Sequence, residues 1–185
     1  MKNQKIIKNK ISFCTVSMNR LSFLKQTLPK NIEDNLSYSN IEFIVLNYNS
    51  RDEMDKWLRT EMMYYIRKGI LKYIRTNEPK YFLMSHSKNI AHKYATGNII
   101  CNVDADNFTG QGFAEYVNKT FQENNNIYMA VSVKSPYKGC FGRICMKKND
   151  YMRLQGYDES MKGYGFEDYD IKNRLELLGR DIRYI

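Results

Sequence analysis

Short apolar runs and helical repeats alternate along this chain, and three of the runs break off abruptly into polar residues. The first run, 11–16, gives way to Ser17-Met18-Asn19-Arg20. Asn19 is placed to cap a helix in which Leu21, Leu24, Leu28 and Ile32 recur at helical spacing. A second run, 41–46, ends in Asn47-Tyr48-Asn49-Ser50, and Asp52 then opens a helix with Met54, Trp57, Leu58, Met62 and Tyr65 on its apolar side. Residues 71–75 read as a weaker third strand, 86–95 as a helix closed by Gly97, and 99–103 as a strand running into Asp104-Ala105-Asp106-Asn107. Beyond it the pattern predicts a helix over about 111–123 with Phe113, Tyr116, Val117 and Phe121 inward, and strands at 127–133 and 142–146. A short helix ends near Gly156, and a last helix, 167–178, stops at Gly179, where a left-handed cap is needed.

This alternation predicts an α/β fold, a mostly parallel Rossmann-like sheet with helices on both faces. Ligands of such sheets bind beyond the carboxyl ends of the strands. The three polar clusters are therefore expected to converge on one crevice. A chain of 185 residues suffices for one domain with its own core, and no repeat or low-complexity linker divides it, so 1–185 is read as a single domain.

The net charge of +9 suits polyanions in principle. The lysines are scattered without a dense run, which favours a solvated surface, and the tyrosines fall mostly on apolar helical or strand positions. A nucleic-acid reader would gather both on one face, so no nucleic-acid partner is expected. Of the four cysteines none forms a Cys-x-x-Cys pair, and His86 and His92 lack zinc-like partners. Cys14 and Cys101 sit in apolar runs as small hydrophobes, which fits a reducing cytoplasm. Residues 1–10 are basic without the apolar stretch of a signal peptide, and no run reaches membrane-spanning length. Membrane contact, if made, is expected to be peripheral, at the inner face, or through a partner.

Asp104-Ala105-Asp106 carries the most chemistry. Two carboxylates two residues apart on an extended chain point the same way, and hard cations such as Mg2+ or Mn2+ take one or two carboxylates plus phosphate oxygens. By itself the triplet reads better as a solvated turn beside Asn107 and Gly110. Its position straight after a buried strand, with Thr96-Gly97-Asn98 before that strand, favours the metal. The second acidic cluster is Glu167-Asp168, at the start of the last helix. Its ordinary explanation is the helix dipole, with Asp170 pairing to Arg174 one turn on. Its functional one is that Asp168, on the same face as Ile171, Leu175 and Leu178, leans toward the crevice as a general base.

The ordered set Ser87-Lys88-Asn89-Ile90-Ala91, Ala95-Thr96-Gly97-Asn98-Ile99-Ile100, Asp104-Ala105-Asp106-Asn107, Gly156-Tyr157-Asp158-Glu159 and Gly163-Tyr164-Gly165-Phe166-Glu167-Asp168-Tyr169-Asp170-Ile171 resembles the GT-A glycosyltransferases of the inverting family 2 group. Its last segment is similar to the C-terminal segment of β-1,4-galactosyltransferases. The resemblance implies an enzyme that moves sugar from a UDP-sugar to a glycan or lipid-linked acceptor. It places Asp106, with Asp104 assisting, on Mn2+ or Mg2+ and the donor diphosphate, Asp168 as base and Glu167 on the acceptor. Tyr164 stands where that family carries Trp against the donor and acceptor sugars. Ser17, Asn19, Arg20, Asn47 and Asn49 are expected around base and ribose, and Lys88 and Asn89 near the nucleotide or its phosphates.

Two departures stand out. The acidic residue that commonly reads uracil is Asn47 here. The chain also ends at Ile185 as a strand begins, where galactosyltransferase relatives go on to supply a further metal ligand, often His. A truncated domain, a minimal enzyme and a protein completed by another chain all fit that ending. The competing readings are a nucleotidyltransferase, which would want a glycine-rich phosphate loop where Ser17-Met18-Asn19-Arg20 has no glycine, and an inactive transferase-like binding module.

Overall fold

The computed structural model describes residues 8–132, 134–136, 139–161 and 165–185. In chain order the elements are β1 (Ile11–Ser17), α1 (Leu21–Glu33), β2 (Ile41–Tyr48), α2 (Met54–Thr60), α3 (Met63–Arg67), β3 (Leu71–Thr76) and α4 (Met84–Lys93). They continue with β4 (Ile99–Asn102), α5 (Phe113–Glu123), β5 (Ile127–Ala130), β6 (Ile144–Lys147), α6 (Lys148–Arg153), α7 (Phe166–Leu177) and β7 (Asp181–Tyr184). The strands form one sheet in the order β3-β2-β1-β4-β6-β5-β7. All run parallel except β6, which lies antiparallel between β4 and β5.

The near-continuous apolar runs of β1 and β2 follow from burial on both faces. Successive side chains alternate, so Phe13, Phe43 and Val45 pack with Leu24, Leu28, Trp57, Phe113 and Phe121 from α1, α2 and α5. On the opposite face Cys14, Ile44 and Leu46 pack with Ala91, Tyr151, Ile171 and Leu175 from α4, α6 and α7. Cys14, Cys101 and Cys145 are free thiols buried in this core. Among the described residues no helix is long and apolar enough to cross a membrane.

Several local expectations are revised. Asn19 does not cap α1. It adopts a left-handed φ of 57°, a conformation Asn tolerates, and its Oδ1 accepts the Arg51 amide at 2.7 Å. The cap comes from Asp52, whose Oδ2 accepts the Leu21 amide at 3.0 Å while Oδ1 takes the Met54 amide at 3.3 Å. One carboxylate thus serves the first turns of both α1 and α2, where the helix dipoles favour negative charge. The helix opened by Asp52 divides into α2 and α3. Tyr116 is exposed, since α5 buries Phe113, Ala114, Val117, Asn118, Thr120 and Phe121 instead. The residues after Gly179 form β7, which pairs with β5.

Candidate active site

The carboxyl ends of β1, β2 and β4 bring two of the polar clusters into one network and set the third beside it. Ser17 lies in register with Asn47. Asn47 Oδ1 accepts the Ser50 amide at 2.9 Å, the Asn19 amide donates to Ser50 Oγ at 2.9 Å, and Ser50 Oγ donates to the Ser17 carbonyl at 3.4 Å. Asn49, also left-handed at φ 54°, donates from Nδ2 to the Pro79 carbonyl at 3.1 Å. The buried Ser17 hydroxyl has no hydrogen-bond partner among the described residues. Such unpaired polar groups are uncommon in folded interiors. Arg20 reaches from this network to the third cluster, with Nη1 3.6 Å from Asp106 Oδ2.

The loop after β4 is held from below by one face of α1 and its end. Thr27 Oγ1 donates to the Ala105 carbonyl at 2.7 Å, and Asn31 Nδ2 to the Asn107 carbonyl at 2.9 Å. Asn31 Oδ1 accepts the Thr109 amide, and Asn35 Oδ1 the Ala114 amide, each at 2.7 Å. These buried side chains satisfy backbone groups that an irregular loop otherwise leaves unpaired. Sequence reading passed over them, although Thr27, Asn31 and Asn35 recur every four residues on a face that should be apolar.

The two aspartates of that loop differ in environment. Asp106 keeps 39% of its side chain exposed, and its Oδ1 accepts Asn107 Nδ2 at 2.9 Å. Asp104 is deeper. Burial raises its carboxyl above the usual range against the opposing pull of the Lys88 ammonium and a 3.2 Å hydrogen bond from Asn102. Gly142 stands so close that a Cβ there would fall 2.6 Å from Asp104 Oδ2. Among the described residues no group of three or more His, Cys, Asp or Glu side chains is gathered to hold a metal ion. Two oxygen donors of one loop, one of them open to solvent, still fit the chemistry of Mg2+ or Mn2+, which keep waters and take phosphate oxygens for their remaining positions.

Across the crevice α4 meets the start of α7. Lys88 Nζ donates to Glu167 Oε1 at 2.8 Å and to Asp168 Oδ1 at 2.7 Å. The lysine and Glu167 side chains are each 2% exposed, whereas Asp168 keeps 11%. Asp168 is the more accessible of the two carboxylates, while Glu167, expected on the acceptor, is buried against Lys88. Burial raises its pKa to about 6, against the lowering influence of Lys88. Lys88 also feels the charge of Asp104, so its ammonium lies electrostatically between the two acidic clusters.

Asn89 is fully engaged elsewhere. Its Oδ1 accepts the Tyr157 amide at 2.8 Å and the Tyr151 hydroxyl at 2.6 Å, while Nδ2 donates to the Tyr157 carbonyl at 2.9 Å and Glu159 Oε1 at 2.8 Å. Both its polar atoms serve the 151–159 segment. Tyr164 lies outside the described residues. Tyr157, which sequence reading took only as part of a motif, is buried beneath Lys88.

Similar folds are known. A mannosyltransferase from Pyrobaculum calidifontis, solved in complex with GDP-Man and Mn2+, superposes with a TM-score of 0.79 at 18% identity over 97% of this chain. S. aureus TarS in complex with UDP-GlcNAc gives 0.77 at 15% identity over 95% of this chain. The alignments cover 55% and 56% of those two chains, so this chain spans little more than half their length. A search of curated proteins returns no match. The sheet is the Rossmann-like one of GT-A glycosyltransferases. The model described as Glycosyl transferase family 2 matches residues 12–169, and the chain belongs to that family.

Proposed function

We propose that the protein transfers a sugar, with inversion at the anomeric carbon, from a UDP-sugar to a hydroxyl of a glycan or lipid-linked acceptor, with Mn2+ or Mg2+ at the donor. The observation that carries this reading is Asp168, a buried carboxylate with a pKa of about 6, held by the same Lys88 that feels Asp104 across the crevice. A base poised near neutrality on one side and solvent-open Asp106 on the other suit a displacement between acceptor and diphosphate.

In that reaction Asp168 takes the proton of the acceptor hydroxyl. The acceptor oxygen forms a bond to the anomeric carbon as the bond to the diphosphate oxygen breaks, and its electron pair leaves with the phosphate. Glu167 holds Lys88 in place, and Asn89 fixes the segment before α7. Arg20, 3.6 Å from Asp106, is a guanidinium suited to pair with a diphosphate held at that carboxylate. Asp106 and Asp104 would hold the cation, which when bound offsets the negative charge of the leaving diphosphate. Ser17, Asn19, Asn47 and Asn49 would line the base and ribose. UDP is preferred on the resemblance of the C-terminal motif, since the structural neighbours were solved with GDP-Man in one case and UDP-GlcNAc in the other. By family analogy the product belongs to cell-surface polysaccharide or glycoprotein glycan assembly on the cytoplasmic side.

Calorimetric titration with UDP, and with GDP for comparison, with and without Mn2+, tests the donor side. Binding of UDP that needs Mn2+ and disappears in Asp106→Ala is expected. Binding that ignores both the cation and the substitution would remove the donor-site assignment.

A further inference from the structure

Lys88 and Asn89 are neighbours on α4, and each holds a different part of Tyr157. Asn89 grips the Tyr157 backbone at both its amide and its carbonyl, 2.8 and 2.9 Å away. Lys88 Nζ lies 5.2 Å from the centre of the Tyr157 ring. The Tyr157 side chain is buried, yet its hydroxyl has no hydrogen-bond partner among the described residues. Burying an unpaired hydroxyl is costly, so the contact that recommends this residue is made by its ring. The preceding residue is fitted to the same arrangement. Gly156 has a φ of 78°, and a Cβ there would lie 2.6 Å from Asn89 Oδ1.

We propose that Tyr157 is a positioning residue for sugar transfer: its ring, not its hydroxyl, presses the Lys88 ammonium against Glu167 and Asp168. The proposal rests on the transferase reading and adds to it what holds the base in place. An ammonium over an aromatic face is attracted by the ring quadrupole, most strongly where water is excluded. Here the ammonium held by the two carboxylates also lies over that face, 5.2 Å from its centre. Asn89 fixes the ring by fixing its backbone, so the segment before α7 and the first turn of α7 are aligned through two consecutive residues of α4.

The test compares Tyr157→Phe with Tyr157→Leu and Tyr157→Met, the better folded of the last two by near-UV circular dichroism being used. Phe keeps the ring and loses only the unpaired hydroxyl, whereas Leu and Met keep apolar volume without the ring. Two readouts are taken: kcat and donor KM for transfer, and the rate of reductive methylation of Lys88 followed by mass spectrometry. The Phe protein is expected to retain wild-type kcat and a protected Lys88. The ring-free protein should lose about tenfold in kcat with donor KM unchanged, and methylate Lys88 about tenfold faster, the scale of a desolvated cation–π contact. If Phe behaves like the ring-free variant, the hydroxyl is the working group and the proposal fails. If the ring-free variant matches wild type in both readouts, the ring positions nothing. Should the wild-type protein show no transfer, the functional reading fails on its own, and the methylation rates still decide the role of the ring.

Discussion

Lys88 Nζ stands 2.7 Å from Asp168 Oδ1 inside the protein, and that pair ties α4 to the first turn of α7. Burial pushes the Asp168 carboxyl up, and the neighbouring ammonium opposes that rise. The balance lies at about 6, a value from which a carboxylate is ionised at neutral pH and still basic enough to accept a proton.

Asp168→Asn keeps the shape of that pair and removes the base. Turnover should fall by roughly 10²–10⁴-fold, the usual worth of general-base assistance, while the affinity for UDP and Mn2+ measured by calorimetry stays within about twofold of wild type. Transfer at the wild-type rate by this variant would dismiss Asp168 as the base.

The acid side of the pH profile follows from the same shift. Because the Asp168 pKa is raised, the neutral acid, which cannot take a proton, persists up to about pH 6. At saturating cation, kcat should therefore be flat above that value and fall about tenfold per pH unit below it. The limb should be missing from the residual rate of Asp168→Asn. A profile with no inflection between pH 5 and about 7 would separate this carboxyl from the chemistry.

At the opposite end of the sheet Glu42 is a charge with a structural task. Burial pushes its carboxyl up, but hydrogen bonds from Ser12 Oγ at 2.5 Å and the Thr96 amide at 2.6 Å, with Lys10 Nζ at 3.1 Å, outweigh burial and hold it below the usual range. A depressed folded-state pKa contributes stability above the unfolded value of 4.5 that is lost as pH falls through the folded value. Glu42→Gln should therefore cost about 1–3 kcal/mol in urea unfolding at pH 7, and the gap between the two proteins should close toward pH 3. A gap independent of pH would mean that shape, not charge, is what matters there.

The alternation of strands and helices and the two-faced burial were legible because period-2 and period-3.6 patterns report which side of an element is covered. The motif 96–98 was legible as a motif but not as a device: its Gly97 lets β4 enter beside β1, where a Cβ would lie 2.6 Å from the Lys10 carbonyl. Asn19 was misjudged because its side chain serves a neighbour 32 residues away rather than the helix it precedes. The roles of Lys88 and Asn89 depend on residues 62 to 80 positions distant. Such pairings carry no local signature, so the spacing of residues marked the site without giving its wiring.

Gly142 offers a test of Asp104 that leaves the carboxylate in the chain. A Cβ at 142 would lie 2.6 and 3.1 Å from the two carboxylate oxygens of Asp104, so Gly142→Ala must displace that side chain from the position it holds beside Asn102. The yielding atoms end a side chain that can rotate, and the fold should lose only about 1 kcal/mol. Donor binding should suffer more: if Asp104 helps to hold the cation, the Mn2+-dependent affinity for UDP should drop about tenfold, equivalent to about 1.4 kcal/mol. Gly97→Ala is the contrasting case. Its new Cβ would meet the Lys10 carbonyl at 2.6 Å and the Ser12 amide nitrogen at 2.9 Å, backbone atoms that cannot swing aside, so it should lower the thermal midpoint without a specific effect on UDP among molecules that remain folded. If Gly142→Ala binds UDP and Mn2+ as tightly as wild type while remaining folded, then Asp104 serves the loop alone and the cation depends on Asp106.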